Sequence, residues 1–147
     1  MGWVVSVKGV VFDRDEVLLA LNERQEWELP GGQLEVRETP EQCVRREILE
    51  ESNLLVEAEA LVDAWVFDVV PGKQVLILAY ACRLVSSPSS LKVSEEHSEV
   101  RFVPLRDVAA LPLPDGYRTA IERARVGRSR RWLGTSPRTN RWVSQSG

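Results

Sequence analysis

The chain has 147 residues, 44% of them hydrophobic and 28% charged, with a formal net charge of −3. Those proportions suit one globular domain with a sizeable core, and no apolar run reaches the eighteen or so residues of a membrane span. The single histidine, His97, excludes a multi-histidine zinc site, so any metal must be held mainly by oxygen, which points to Mg²⁺ or Mn²⁺. The net charge hides a polarity. Residues 123–147 carry seven arginines and no acid, which leaves 12 basic against 22 acidic residues elsewhere, a net of −10. An acidic body of this kind suits a site that concentrates divalent cations, or serves solubility alone.

Residues 3–12 are rich in valine and read as a strand, without the basic and then apolar pattern of a secretion signal. Asp13, Arg14 and Asp15 form a turn, and residues 16–21 read as a second strand. A short stretch at 27–29 runs into the breaker Pro30-Gly31-Gly32. A helix follows with a clear start: Thr39 as N-cap, Pro40 at the first helical position and Gln42 completing a capping box. It ends near Asn53, a residue that tolerates the left-handed C-cap conformation. Residues 54–70 contain extended segments and pass through Pro71-Gly72-Lys73 into residues 74–84, a hairpin. Residues 86–90 are a loop, 99–103 a short strand and 114–125 a second helix. The expected fold class is α/β (α+β), an α/β/α sandwich with a helix on either side of a mixed central sheet. One domain is expected over residues 1–127, followed by a basic, flexible tail over 128–147. Cys43 falls in a helix and Cys82 in a strand, so both read as buried thiols of a reducing, cytoplasmic setting rather than as a disulfide.

Glu47, Glu50 and Glu51 stand at i, i+3 and i+4 and project from one side of the helix. Like charges so spaced repel, and near a helix C-terminus the dipole disfavours anions. A bound divalent cation would reverse both effects. Arg45 and Arg46 offset some of the repulsion, so spacing alone leaves a metal site and a solvated acidic face as equal readings. The surroundings favour the site. Gly31 and Gly32 let a carbonyl approach a ligand closely. Glu38 is placed to reach Arg46 and lock the preceding loop onto the helix, while Cys43, Val44 and Ile48 form the opposite, buried stripe.

The segment from Gly32, through Glu38, to Arg46-Glu47-Ile48-Leu49-Glu50-Glu51-Ser52-Asn53-Leu54 resembles the Nudix box, over 23 of the 147 residues. Asn53 stands where the family has glycine, and Arg37 replaces a glycine frequent before Glu38. The leading Trp27-Glu28-Leu29-Pro30-Gly31-Gly32 is also similar to the family. The resemblance implies a Nudix-like fold and Mg²⁺-dependent hydrolysis (Mn²⁺ being an alternative) of a nucleoside diphosphate linked to another group. It implies Glu47, Glu50, Glu51 and the Gly32 carbonyl as metal ligands, oriented by Glu38 and Arg46. Relatives often add an acid from the loop before an aromatic-bearing strand. By its spacing to Phe102, Glu96 is the expected extra ligand or general base, with Glu95 and Glu99 behind it, and His97 reads as a surface residue.

Trp65 and Phe67 alternate on a strand and serve either to stack on a nucleobase or to fill the core. The arginine-rich end offers contacts to RNA phosphates, which would favour removal of pyrophosphate from RNA 5′ ends, but it lacks an aromatic RNA-binding pattern. A non-catalytic nucleotide-binding module is the rival of another class; three mutually repelling carboxylates argue against it. The sequence identifies neither the nucleotide substrate nor the oligomeric state, monomer or homodimer.

Overall fold

The computed structural model describes residues 2–93 and 99–132, with side chains described as far as Arg128. Seven strands form the frame: β1 (Val5–Asp13), β2 (Glu16–Leu21), β3 (Trp27–Glu28), β4 (Gly31–Gln33), β5 (Val56–Val70), β6 (Lys73–Leu84) and β7 (Glu99–Pro104). Three helices are α1 (Pro40–Ser52), the short α2 (Leu105–Val108) and α3 (Asp115–Trp132), with one 3₁₀ turn at Pro88–Ser90. β1 is the spine. Most of it pairs in parallel with β6, from Val5 opposite Leu76 to Val11 opposite Cys82, and it pairs antiparallel with β4 through Ser6, Val7 and Lys8. Its end turns to pair with β2, which carries β3 on one side and β7 on the other. The result is the expected mixed sheet with a helix on each face.

The alternation of β1 explains the two cores. Val7 and Val11 join Val44 and Ile48 of α1 on one face, while Val10 joins Tyr117, Ala120 and Ile121 of α3 on the other. Gly9 lies between the α1-facing valines. A Cβ there would stand 2.6 Å from Ile48 Cδ1 and 3.0 Å from Val44 Cγ2, so its absence lets α1 settle directly on the sheet. Both cysteines are buried and free.

The structure departs from the sequence reading at three places. Pro30-Gly31-Gly32 was read as a breaker, yet Gly31–Gln33 is a strand paired with β1, where Gly31 adopts φ +147° and a Cβ would strike the Val7 carbonyl oxygen. α2 was unforeseen, since four residues carry no periodicity. α3 runs to Trp132 rather than stopping at residue 125. It passes through Arg128, whose guanidinium donates to the Arg14 carbonyl at 2.6 Å and lies over the Phe12 ring at 5.2 Å. The start expected for the tail is thus helical and anchored; residues 133–147 lie outside the described part. Among the described residues no helix is long and apolar enough to cross a membrane.

Candidate active site

The ends of α1 fix its register. The Thr39 hydroxyl accepts from the Gln42 backbone N–H at 3.2 Å, and the Gln42 carboxamide accepts from the Thr39 N–H at 3.0 Å, both halves of the capping box. At the far end Asn53 sits at φ 62°, ψ 14° and its N–H donates to Leu49. Cys43, Val44 and Ile48 are then turned into the core, and the glutamates fall along the flank that meets β4.

Arg46 organises that flank. Its Nε and Nη2 donate to the two Glu38 oxygens at 2.6 and 2.9 Å, and Nη1 donates to Glu47 Oε1 at 2.8 Å and Glu50 Oε2 at 3.4 Å. Nη2 also donates to the Gln33 carbonyl at 3.3 Å, and Glu35 stands 3.7 Å from Nη1. Glu38 Oε1 accepts from the Glu35 N–H, so one carboxylate ties its own loop and the helix together. The Arg46 guanidinium, by direct hydrogen bonding, holds the Glu38 carboxyl down at about 2, and Glu38 in turn raises Arg46 above its ordinary value. Between Glu35 and Glu38 the chain makes a tight turn with Arg37 at φ 66°, a left-handed position that suits glycine.

Glu47 lies against Gly32. A Cβ on that glycine would be 2.6 Å from Glu47 Oε2, so only glycine leaves room for the carboxylate. The Gly32 carbonyl accepts from the Cys43 thiol at 3.6 Å. Glu51 is 6% exposed and accepts from the Gly31 N–H at 3.3 Å. Burial pushes its pKa up to about 8; Lys8 opposes the rise and Glu47 adds to it. Glu50 is 60% exposed, with Arg46 as its neighbour.

Among the described residues no three carboxylate, thiol or imidazole groups converge as a ready-made metal cage. Glu47 and Glu50 turn to Arg46 while Glu51 accepts from Gly31, so the three share a flank without sharing a focus. The donor set nonetheless fits a hard divalent cation. It is all oxygen, Glu47 occupies a cradle that a side chain on Gly32 would fill, and Glu51 carries a buried carboxyl whose ionisation a cation would favour. Glu95, Glu96 and His97 lie outside the described residues. Glu99, at the start of β7, pairs with Arg101 at 3.2 Å.

Two charged residues near this flank were missed in the sequence. Lys8 is 7% exposed on β1, opposite Gly31, with Glu28 at 3.9 Å. A lone lysine inside a valine-rich strand was the available signal. Trp65 and Phe67 are half-buried and pack edge-on and tilted against Tyr117, with ring centroids 5.7 and 6.2 Å away.

The chain resembles known proteins over most of its length. The NUDIX domain model matches residues 2–124. A "MutT-like protein" of Streptomyces ambofaciens is 38% identical over 115 residues, 70% of this chain and 75% of that protein. A Mycobacterium tuberculosis protein named "Putative 8-oxo-dGTP diphosphatase 3" is 33% identical over 102 residues, 68% of this chain but 47% of that protein, so the chain spans about half its length. The solved structure of a Nudix hydrolase from Nitrosomonas europaea superposes with a TM-score of 0.75 at 21% identity, covering 86% of this chain and 90% of that one, a likeness of fold.

Proposed function

Because this chain belongs to the Nudix family of pyrophosphohydrolases, we propose that it hydrolyses a diphosphate linkage in a nucleoside di- or triphosphate derivative with the help of Mg²⁺ or Mn²⁺. The observation that carries the reading is the Glu47 carboxylate, seated on Gly32 and held at 2.8 Å by an Arg46 that Glu38 clamps from the loop. Glu47, Glu50, Glu51 and the Gly32 carbonyl are the groups that would hold the ion. Such an ion, when bound, neutralises diphosphate charge and lowers the pKa of an attacking water. Arg46 and Glu38 orient the carboxylates, as outer partners do around metal ligands. By its spacing to Phe102, Glu96 supplies a further ligand or takes the proton from water. The 8-oxo-dGTP activity in the name of the mycobacterial relative supports a nucleotide-pool role.

The test is phosphate and pyrophosphate release across a panel of nucleoside triphosphates, nucleoside diphosphate derivatives and a 5′-triphosphorylated RNA, with Mg²⁺ and with EDTA. Turnover of at least one member, abolished by EDTA, is expected. Binding of nucleotides without turnover of any would identify a regulatory module instead, and turnover confined to triphosphorylated RNA would move the substrate to RNA 5′ ends.

A further inference from the structure

A cavity of about 440 Å³ opens between the sheet and the C-terminal half of α3, at the end of β1 remote from the acidic flank. Val7, which pairs with Gly32, faces α1, whereas Val10 and Phe12 face α3 and line the cavity. Five residues of strand put Phe12 roughly 17 Å beyond Val7. Among the described residues the walls of the cavity include none of the flank. Small side chains and an irregular strand leave the volume open. Ala60 of β5, Ala81 of β6, and Ala124 and Gly127 of α3 line it, so each of these elements contributes a small residue. β5 also shifts register between Ala58 and Ala60 and again between Leu61 and Asp63, which bends the edge of the sheet where Glu59, Ala60 and Val62 form the wall. The volume falls in the range of small-molecule sites, roughly 300–1,000 Å³, and far exceeds the gaps between packed side chains.

The polarity of the cavity is graded. Its floor is apolar, with Val10 fully buried and Ala124 3% exposed. Its charged residues stand toward solvent: Arg14, Arg83, Arg128 and Glu59 are exposed and Asp13 is half-buried. Three guanidinium groups against two carboxylates leave one positive charge in excess. That excess runs against the trend of residues 1–122, whose 12 basic and 22 acidic residues give a net of −10. Arg128 is held in place by the Arg14 carbonyl at 2.6 Å and by the Phe12 ring, neither of which neutralises it. An apolar floor beneath a mouth of net charge +1 matches a molecule with an apolar body and one negative head. A carboxylate carries that single charge, whereas a phosphate monoester carries nearly two at neutral pH and would also meet Asp13 and Glu59.

We propose that this cavity is a binding site, separate from the acidic flank, for an amphipathic monocarboxylate. Its apolar chain lies on Val10, Val62 and Ala124, and its carboxylate is taken by the arginines of the mouth. This inference goes beyond the hydrolase reading and does not depend on it.

The experiment titrates the full chain with decanoate, decylammonium and acetate by calorimetry, below the concentrations at which the first two form micelles. Amide NMR shifts locate the decanoate. Saturable, one-to-one binding of decanoate is expected, about tenfold or more tighter than that of decylammonium, with no binding of acetate. The shifts should centre on residues 10–14, 59–62, 81–84 and 124–128. Arg14→Ala and Arg83→Ala, at exposed positions, should each weaken decanoate roughly two- to fivefold. Ala60→Phe, which fills part of the volume, should weaken it about tenfold, with melting curves verifying the fold. Should Ala60→Phe not fold, the combined Arg14→Ala and Arg83→Ala variant must lose roughly fourfold or more. The proposal is overturned by the absence of saturable decanoate binding, by equal binding of decylammonium, by shifts centred on α1 and β4, or by unchanged affinity in the arginine variants. Each of these outcomes leaves the hydrolase reading as it stands, since none of them measures turnover.

Discussion

Replacing Glu38 by glutamine tests the clamp that holds the acidic flank together. The wild-type carboxylate takes two charge-assisted hydrogen bonds from Arg46, at 2.6 and 2.9 Å, and one from the Glu35 N–H at 3.2 Å. The amide keeps one acceptor oxygen and turns an N–H toward a guanidinium that can only donate. Losing a charge-assisted bond at a side chain only 12% exposed costs roughly 1.5–3 kcal/mol. For a domain near 150 residues that lowers the Tm by roughly 3–12 °C. The sign of the pH dependence follows from the depressed pKa. Glu38 ionises near 2 in the fold, below its ordinary 4.5, so its contribution is complete above about 4.5 and is lost as pH falls toward 2. Urea unfolding of both proteins at pH 7, 5, 4 and 3 should give a constant gap at the two higher values and a shrinking one below. A gap that does not change down to pH 3 would refute the assignment of the clamp to the carboxylate charge. Turnover should fall as well, because a released Arg46 no longer fixes Glu47.

Arg37→Gly should raise stability by about 1 kcal/mol, since glycine takes φ 66° without the steric cost that arginine bears; thermal denaturation measures it, and a lower Tm would show that the arginine side chain itself stabilises the turn. Gly9→Ala should destabilise by roughly 1–3 kcal/mol, as a Cβ 2.6 Å from Ile48 Cδ1 lifts α1 off the sheet. Gly32→Ala should leave the protein folded by circular dichroism but lower kcat at least tenfold, because its Cβ would displace the Glu47 carboxylate. Near-normal kcat there would mean that Glu47 works from another position.

What the sequence disclosed and what it hid divide by range. α1 was legible to the residue because Thr39, Pro40, Gln42 and Asn53 act within one or two turns of themselves. The Glu38–Arg46 contact was legible because both residues flank the same loop and helix. The strand at Gly31–Gln33 was not, since its reason is the Val7 carbonyl on a distant strand. The extension of α3 past residue 125 depends on Arg128 reaching Arg14 and Phe12, more than a hundred residues earlier. Lys8 and Glu28 were hidden for the same cause. Nothing local to either says that β1 brings one against the other, whereas the glutamates of α1 announce themselves through helical spacing. That spacing does not contain the pull of Arg46 on two of them.

The central claim is that the α1 carboxylates act through a divalent cation in hydrolysing a nucleotide diphosphate. Turnover of the best panel substrate by wild type, Glu50→Gln and Glu51→Gln, measured across an Mg²⁺ titration with folding verified by circular dichroism, tests it most directly. Mg²⁺-dependent wild-type activity is expected, with a loss of two or more orders of magnitude in both folded variants. Near-wild-type turnover in both, at the same Mg²⁺ requirement, would contradict it.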